Sequence, residues 1–274
     1  MNSAAYTSPA ATRRLWARSA TRLVHACRAL HANILTRWLI HFHSRKMHLT
    51  SASAMIFAPH QDDETFGCGG MIARKRELGA QVIIVFLTDG RNSHPYTSAS
   101  AQADLISTRR KEALAATRHL GVPPACLHFL DLPDSTLRNL SEHDESVTIE
   151  AVISLIERHR PAEVYVPHRH DQLDDHEAAF NLLYKAIATV VPTPQLLQYP
   201  MWMAWLAPTM MRLKKQDFAS ATALSISSAL SQKRRAISCY RSQLQILPPG
   251  FAIRFNLPHE LYFDSIVRET RRKC

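Results

Sequence analysis

From residue 52 onward the chain alternates short, unbroken apolar runs with longer stretches of helical periodicity. Ala54–Pro59 (AMIFAP) and Gln81–Thr88 (QVIIVFLT) read as buried strands, followed by Leu127–Leu130, Glu163–Pro167 and a weaker run at Leu196–Tyr199. Continuously apolar strands fit a sheet covered on both faces, because strands with one wet face alternate instead. Helical segments fall between them near 69–78, 104–120, 146–160 and 175–190. Gly79 and Gly121 stand just past two of these, where a left-handed C-cap residue belongs. The alternation predicts an α/β fold with a mainly parallel sheet and helices on both faces. In such sheets ligands collect outside the carboxyl ends of the strands. There is no internal repeat and no low-complexity tract.

The ends differ from this middle. Trp16, Ala20, Leu23, Ala26, Leu30, Ile34 and Trp38 follow one another in steps of four or three, a single helical stripe accompanied by Arg13, Arg14, Arg18, Arg22, Arg28 and Arg37. Three readings of residues 1–50 stay open. The segment is a membrane-surface helix, a transit or untranslated stretch preceding a true start at Met47 or Met55, or a helix packed on its own domain. Past Pro200, Met201–Met211 is apolar but broken by Pro208, and it covers a sheet edge or shapes the mouth of a site. Ser228–Leu244 reads as a helix.

The net charge of +10 hides an uneven distribution. Residues 1–50 hold eight Arg or Lys and no Asp or Glu; residues 51–209 carry a balance of −6, and residues 210–274 one of +8. An acidic centre with no aromatic–basic platform argues against a nucleic-acid reader. No run of eighteen apolar residues exists, so no conventional membrane-spanning helix is expected. Five scattered cysteines form neither a disulfide framework nor a CxxC zinc module, which fits reduced thiols in a cytoplasmic protein with possible peripheral membrane contact.

Chemistry gathers at two strand ends. The first strand runs into Pro59-His60-Gln61-Asp62-Asp63-Glu64, and the fourth into Pro167-His168-Arg169-His170-Asp171-Gln172-Leu173-Asp174-Asp175-His176. An imidazole and a carboxylate three residues apart can converge on one metal as the chain turns, and zinc accepts such N/O ligands. Two dense His/Asp clusters on different strand ends are the arrangement that a metal site in a parallel sheet needs.

PHxDDE after the first strand, TDG after the second, RxxE…LGV in the next helix and a terminal DH after the fourth resemble the LmbE-like (PIG-L) de-N-acetylases. The match spans about residues 54–200 and extends more loosely to Lys233–Gln243, with its K…A…Y.SQ pattern. The resemblance implies a Rossmann-like fold for 51–274, a basic helical C-terminal part, and hydrolysis of an N-acetyl group from an N-acetylglucosamine-type conjugate. It also implies a divalent metal, Zn2+ or another such as Fe2+, on His60, Asp63 and His176. Asp62 would then be the general base, while Arg109 and Asp134 would bind substrate. For Arg109 the residues alone allow a helix pair with Glu112 instead. Glu64 and Asp89 would support the site, Asp89 by ordering the loop around His60.

One position departs from the pattern. The family commonly reads HxDH, but here leucine, Leu173, stands at the first histidine. Either His170 or His168 supplies the imidazole from the same loop, or the site works without one, or it no longer turns over; His170 is the expected substitute. A sugar-binding or regulatory protein that kept the fold is the rival reading. Asp62 speaks against it, because a binding module has no need of a base.

Overall fold

A computed structural model describes residues 9–94, 98–206 and 215–265, with side chains described over 21–94, 98–206 and 217–265. Among these residues eight strands form one sheet: β1 (Arg45–Lys46), β2 (Ala54–Ala58), β3 (Val82–Thr88), β4 (Leu127–Leu132), β5 (Glu163–Pro167), β6 (Gln195–Tyr199), β7 (Ala221–Ser225) and β8 (His259–Ser265). Their spatial order is β1-β7-β8-β6-β5-β2-β3-β4. Every pairing is parallel except those of β8, which runs antiparallel to β6 and β7. The helices are α1 (Pro9–Trp38), α2 (Asp63–Glu77), α3 (Ala99–His119), α4 (Glu142–His159), α5 (Asp174–Ile187), α6 (Lys215–Ser220), α7 (Leu230–Ile237) and α8 (Arg241–Leu244).

Two cores follow from the continuous apolar strands. Ile56, Ile84 and Phe86 face one layer with Phe66, Met71 and Ala113, while Met55, Phe57 and Val85 face the other with Val152, Ile156, Leu183 and Ile187. Helices α2, α3 and α7 therefore cover one side and α4 and α5 the opposite one. Ser98 and Ser141 cap α3 and α4 with side-chain oxygens that accept from Ala101 N and Asp144 N. Gly79 and Gly121 both adopt the left-handed conformation expected of them.

The strand order reverses between β2 and β5. From β2 the chain winds outward through β3 to β4, then returns to lay β5 and β6 on the other side. The carboxyl ends of β2 and β5 flank this switch point, and both His/Asp clusters leave from there.

Several elements differ from expectation. Helix α2 begins at Asp63, six residues earlier than its periodicity indicates, because three glycines mask the pattern. A β-carbon on Gly67 would lie 2.3 Å from the Tyr199 ring, so glycine lets α2 approach β6. Strands β7 and β8 were not expected: ATALS has no large apolar run, and HELYFDS carries charge. Glu260 is nonetheless buried, accepting from Lys233 Nζ (2.6 Å), Gly70 N and Met71 N. The predicted helix at 228–244 breaks into α7 and α8 at Tyr240.

Part of the N-terminal segment packs on the domain. Ala32, Leu35 and Leu39 are buried in the same core as the sheet, and β1 pairs with β7. The expected stripe is not the packed one: Leu23, Leu30 and Ile34 face solvent. Trp38 is partly buried against His43 and Phe218. The side chains of Trp16 and Ala20, and the end of the Met201–Met211 run, lie outside the described residues. No helix among the described residues is long and apolar enough to cross a membrane.

Candidate active site

The turn after β2 is held to the next strand by three hydrogen bonds. Thr88 Oγ1 and Thr88 N donate to Pro59 O, and Gln61 Nε2 donates to Thr88 O. Asp62 follows with φ at +136°, a value few non-glycine residues adopt. Its N–H donates to Glu64 (3.1 Å), whose other oxygen accepts from Tyr240 Oη at 2.6 Å and from Thr65. This contact fixes the strained turn and launches Asp63 and Glu64 into the first turn of α2, where the positive end of the helix favours carboxylates.

His60, Asp63 and His176 each present one ligand atom, all within 4.8 Å of one another. Asp63 Oδ2 lies 3.3 Å from both His60 Nδ1 and His176 Nε2. A second group shares His60: Asp134 Oδ1 and Asp175 Oδ2 stand 3.1 and 3.3 Å from its Nε2. The far nitrogen of His176, Nδ1, is 2.8 Å from Asp171 Oδ2, while Asp171 Oδ1 accepts from Met201 N, Trp202 N and Met203 N. Asp171 thus fixes the ring so that Nε2 points inward. That buried Nε2 makes no hydrogen bond of good geometry.

The charges of this cluster call for a cation. Burial would depress the His60 pKa, but the Asp134, Asp175 and Asp63 carboxylates raise it well above the usual imidazole range. His176, likewise opposed by burial, is lifted by Asp63 and Asp171 to about 9. Asp63 is held far below the ordinary carboxylate range, its burial outweighed by His176 and His60. Without a metal the two imidazoles would take up protons to balance the carboxylates. An inward-facing imidazole nitrogen beside a shared carboxylate oxygen fits a divalent ion of the zinc or iron(II) class with N/O ligands. Asp62 sits beside this set, and burial together with the Asp63 charge pushes its pKa upward against the pull of Arg109 and His60.

A cavity of about 250 Å³ opens over these groups. His60, Asp62, Asn92, Arg109, Asp134 and His176 supply its polar side; Leu173, Met201, Trp202, Ile246, Leu247 and Phe251 supply its apolar side. Arg109 is buried and does not pair with Glu112. It donates to Gln61 O (2.8 Å) and Gln243 Oε1 (2.9 Å), and its Nη2 lies 3.8 Å from Asp62 Oδ1. Glu112 instead accepts from the Ser242 N–H and hydroxyl. A β-carbon on Gly90, whose φ is +70°, would meet Arg109 Nε at 2.6 Å, so the glycine of TDG makes room for the guanidinium. Asp134 lines the cavity and also accepts from Asn92 N at 3.0 Å. Its pKa is held at about 2: burial works against this, and the His60 contact outweighs it. Asp89 accepts from Arg91 and Asp134 N, so it ties down the Asp134 loop, whereas Thr88 anchors the turn of His60.

His170 is not brought into this cavity. The chain turns back at Asp171, whose N–H donates to His168 O, and Gln172 takes φ +66°. The His170 ring is left 5.7 Å from that of His168, and His170 is not among the lining residues. His168 is itself buried, at 4.6 Å edge-on to Phe263, with its Nδ1 accepting from His170 N. Leu173 does face the cavity, whereas His170 is not among its lining residues.

Sequence reasoning gave no role to Asp171 or Asp175. Asp175 accepts from Ser135 N and Leu137 N while touching His60. Both stand beside quoted histidines, and spacing alone does not say which carboxylate of DQLDD turns inward. The K…A…Y.SQ pattern also acquires a meaning: Lys233 pairs with Glu260, Tyr240 with Glu64, Ser242 with Glu112 and Gln243 with Arg109.

Residues 55–187 match the family described as PIG-L: GlcNAc-PI de-N-acetylase. The chain is 28% identical over 167 residues to a protein of Escherichia coli (strain K12) named uncharacterized deacetylase YaiS, covering 58% of this chain and 80% of that one. Among solved structures it is similar to Dbv21, the A40926 pseudoaglycone deacetylase, with 20% identity, a TM-score of 0.63, and 81% and 100% of the two chains covered. It is also similar to GalB, the 4-carboxy-2-hydroxymuconate hydratase of Pseudomonas putida KT2440, with 20% identity, a TM-score of 0.62 and the same coverage. These two likenesses are of fold, which serves a deacetylase and a hydratase alike. The span matched by the family contains His60, Asp62, Asp63, Arg109, Asp134 and His176, so the part of the chain that builds the polar side of the cavity is similar to the PIG-L (LmbE-like) deacetylases.

Proposed function

We propose that the chain is a metal-dependent hydrolase that removes the N-acetyl group from an N-acetylglucosamine-type conjugate. The observation that carries this reading is the convergence of His60, Asp63 and His176 on one point with Asp62 beside them in the same cavity. A divalent ion, zinc or iron(II), held by those three residues would supply positive charge that polarises an amide carbonyl and makes water a stronger acid. Asp62 takes the proton from the attacking water as its oxygen bonds to the acetyl carbon. The same carboxylic acid then returns that proton to the amine nitrogen as the C–N bond breaks, so water and amide become acetic acid and free amine. Arg109 keeps Asp62 oriented through the Gln61 carbonyl and offers its remaining N–H groups to sugar hydroxyls, with Asp134 accepting from others. In this scheme Asp62 serves as base and as acid, and His170 takes no part. The apolar wall of Trp202, Leu247 and Phe251 suits a sugar face or an apolar aglycone.

The test is acetate release from N-acetylated amino sugars and their conjugates by the metal-loaded protein and by Asp62→Asn. Turnover should fall on the order of 10²–10⁴-fold in the variant, while bound metal per chain stays unchanged. Equal turnover in the two proteins would end the assignment of Asp62. Stoichiometric metal with no acetate from any amino-sugar substrate would end the assignment of substrate.

A further inference from the structure

Helix α1 has two apolar faces, and the fold uses only one. Ala32, Leu35 and Leu39 are buried against the domain. On the opposite side Leu23, Leu30 and Ile34, spaced seven and four residues apart, are 66%, 63% and 59% exposed. An isolated exposed leucine needs no explanation, but an aligned row on the outside of a docked helix does. The row has exposed apolar neighbours on the segment that α1 packs against. A β-carbon on Gly250 would lie 2.9 Å from Ala29 of α1 and 4.0 Å from Ile253, itself 59% exposed. Ile246 is exposed too, and it also lines the rim of the cavity above His60 and Asp62.

Charge identifies the occupant. The first acidic residue of the chain is Asp62, which is buried, and none occurs between Asp217 and Glu260. The two segments that build this face therefore contribute no carboxylate to it. Arg22 and Arg37 are exposed on α1. Apolar side chains flanked by arginines and free of acids complement the interface of an anionic bilayer, where the apolar row enters the acyl boundary and the guanidinium groups meet phosphates. We infer that the outer face of α1, together with the Ile246–Ile253 segment, is a docking surface for an anionic membrane. This holds whatever chemistry the cavity performs. It also puts the rim of the cavity next to the bilayer.

Deleting α1 would remove Ala32 and Leu35 from the core, so point variants on the exposed face make the better test. The full chain is floated with vesicles of phosphatidylcholine mixed with phosphatidylglycerol, and with phosphatidylcholine alone. The wild type should rise with the anionic vesicles, less with the neutral ones, and less again at high salt. Leu30→Gln/Ile34→Gln should weaken vesicle partitioning on the order of tenfold per side chain. Arg22→Gln/Arg37→Gln should weaken it roughly fivefold per charge. Both variants should keep the wild-type thermal midpoint, since they alter only exposed side chains. A wild type that stays with free protein, or variants that float equally well, would overturn the inference. So would a dimer in sedimentation that Leu30→Gln/Ile34→Gln dissolves while vesicles capture nothing, because the face would then belong to a second copy.

Discussion

The most informative single substitution is Asp171→Asn, because it changes the proton on His176 while leaving shape alone. Asp171 Oδ1 gathers three backbone N–H groups from Met201, Trp202 and Met203, and a carboxamide oxygen can keep accepting them. At the other oxygen, 2.8 Å from His176 Nδ1, the new NH2 can only donate. His176 Nδ1 must then be the unprotonated nitrogen, which moves the proton to Nε2. Nε2 is the atom that faces Asp63 and would bind the ion. A protonated Nε2 cannot ligate, and restoring the productive tautomer leaves Nδ1–H facing the carboxamide NH2. Changes to groups that orient a ligating histidine typically cost 10–100-fold in metal affinity, about 1.4–2.7 kcal/mol. Competition with a chromophoric chelator reads that loss directly, and circular dichroism checks that the Met201–Met203 turn survives. Affinity within a factor of about two of wild type, in a folded variant, would refute the tautomer argument and with it the assignment of His176 Nε2 as a ligand atom.

Three further outcomes are expected. Leu173→His puts an imidazole into the cavity at the position where the HxDH pattern has one, and steady-state acetate release should rise on the order of 10- to 10²-fold in kcat; an unchanged kcat would mean that Asp62 alone meets the proton demand. His168 is wholly buried and its pKa is lowered to about 3 by burial, His170 and Arg169, against about 6.5 in the unfolded chain. The unfolded chain therefore binds a proton that the native one refuses, so stability falls as pH drops from about 6.5 toward 3, by up to ~1.4 kcal/mol per pH unit; urea titrations of His168→Phe should give a flatter profile across that window, and an identical slope would count against it. Lys233→Met leaves the Glu260 carboxylate buried without its cation, at a cost of about 3–5 kcal/mol, so the thermal midpoint should drop sharply, and a midpoint near wild type would show that the backbone N–H groups of Gly70 and Met71 suffice.

Legibility of this fold in the sequence follows how each element hides its surface. β2, β3 and β5 are buried on both faces, so their runs stand out and their bounds fall within a residue of the pattern. β8 lies between two strands just as internally, yet its sequence flanks Leu261–Phe263 with the charged Glu260 and Asp264. Glu260 can be buried there only because Lys233 and two backbone amides reach it, and that partnership spans elements that no local window joins. The stripe on α1 misleads for the opposite reason. Periodicity reports that a helix has an apolar face, not which face the domain takes, and this helix has two. The small residues Ala29 and Ala32 with Leu35 and Leu39 serve close packing, while the bulkier and more conspicuous row stays outside.

The site divides along the same line. His60, Asp62, Asp63 and His176 are readable because they sit at strand ends in a motif whose spacing is local. The residues that make them work are readable only afterwards, since each acts from a distant part of the chain. Tyr240 holds Glu64 across 176 positions, and Gln243 holds Arg109 across 134. Tyr240 stands at the start of the short α8 and Gln243 within it, and both side chains reach inward. One supports the strained turn at Asp62 and the other the guanidinium beside it. His170 is not among the residues that line the cavity, because nearness in sequence to His176 does not fix its place once Asp171 turns the loop to hold the His176 ring. In this loop the demand for an oriented ligand outweighs the opportunity for a second acid, which is why the proposed chemistry returns its proton through Asp62.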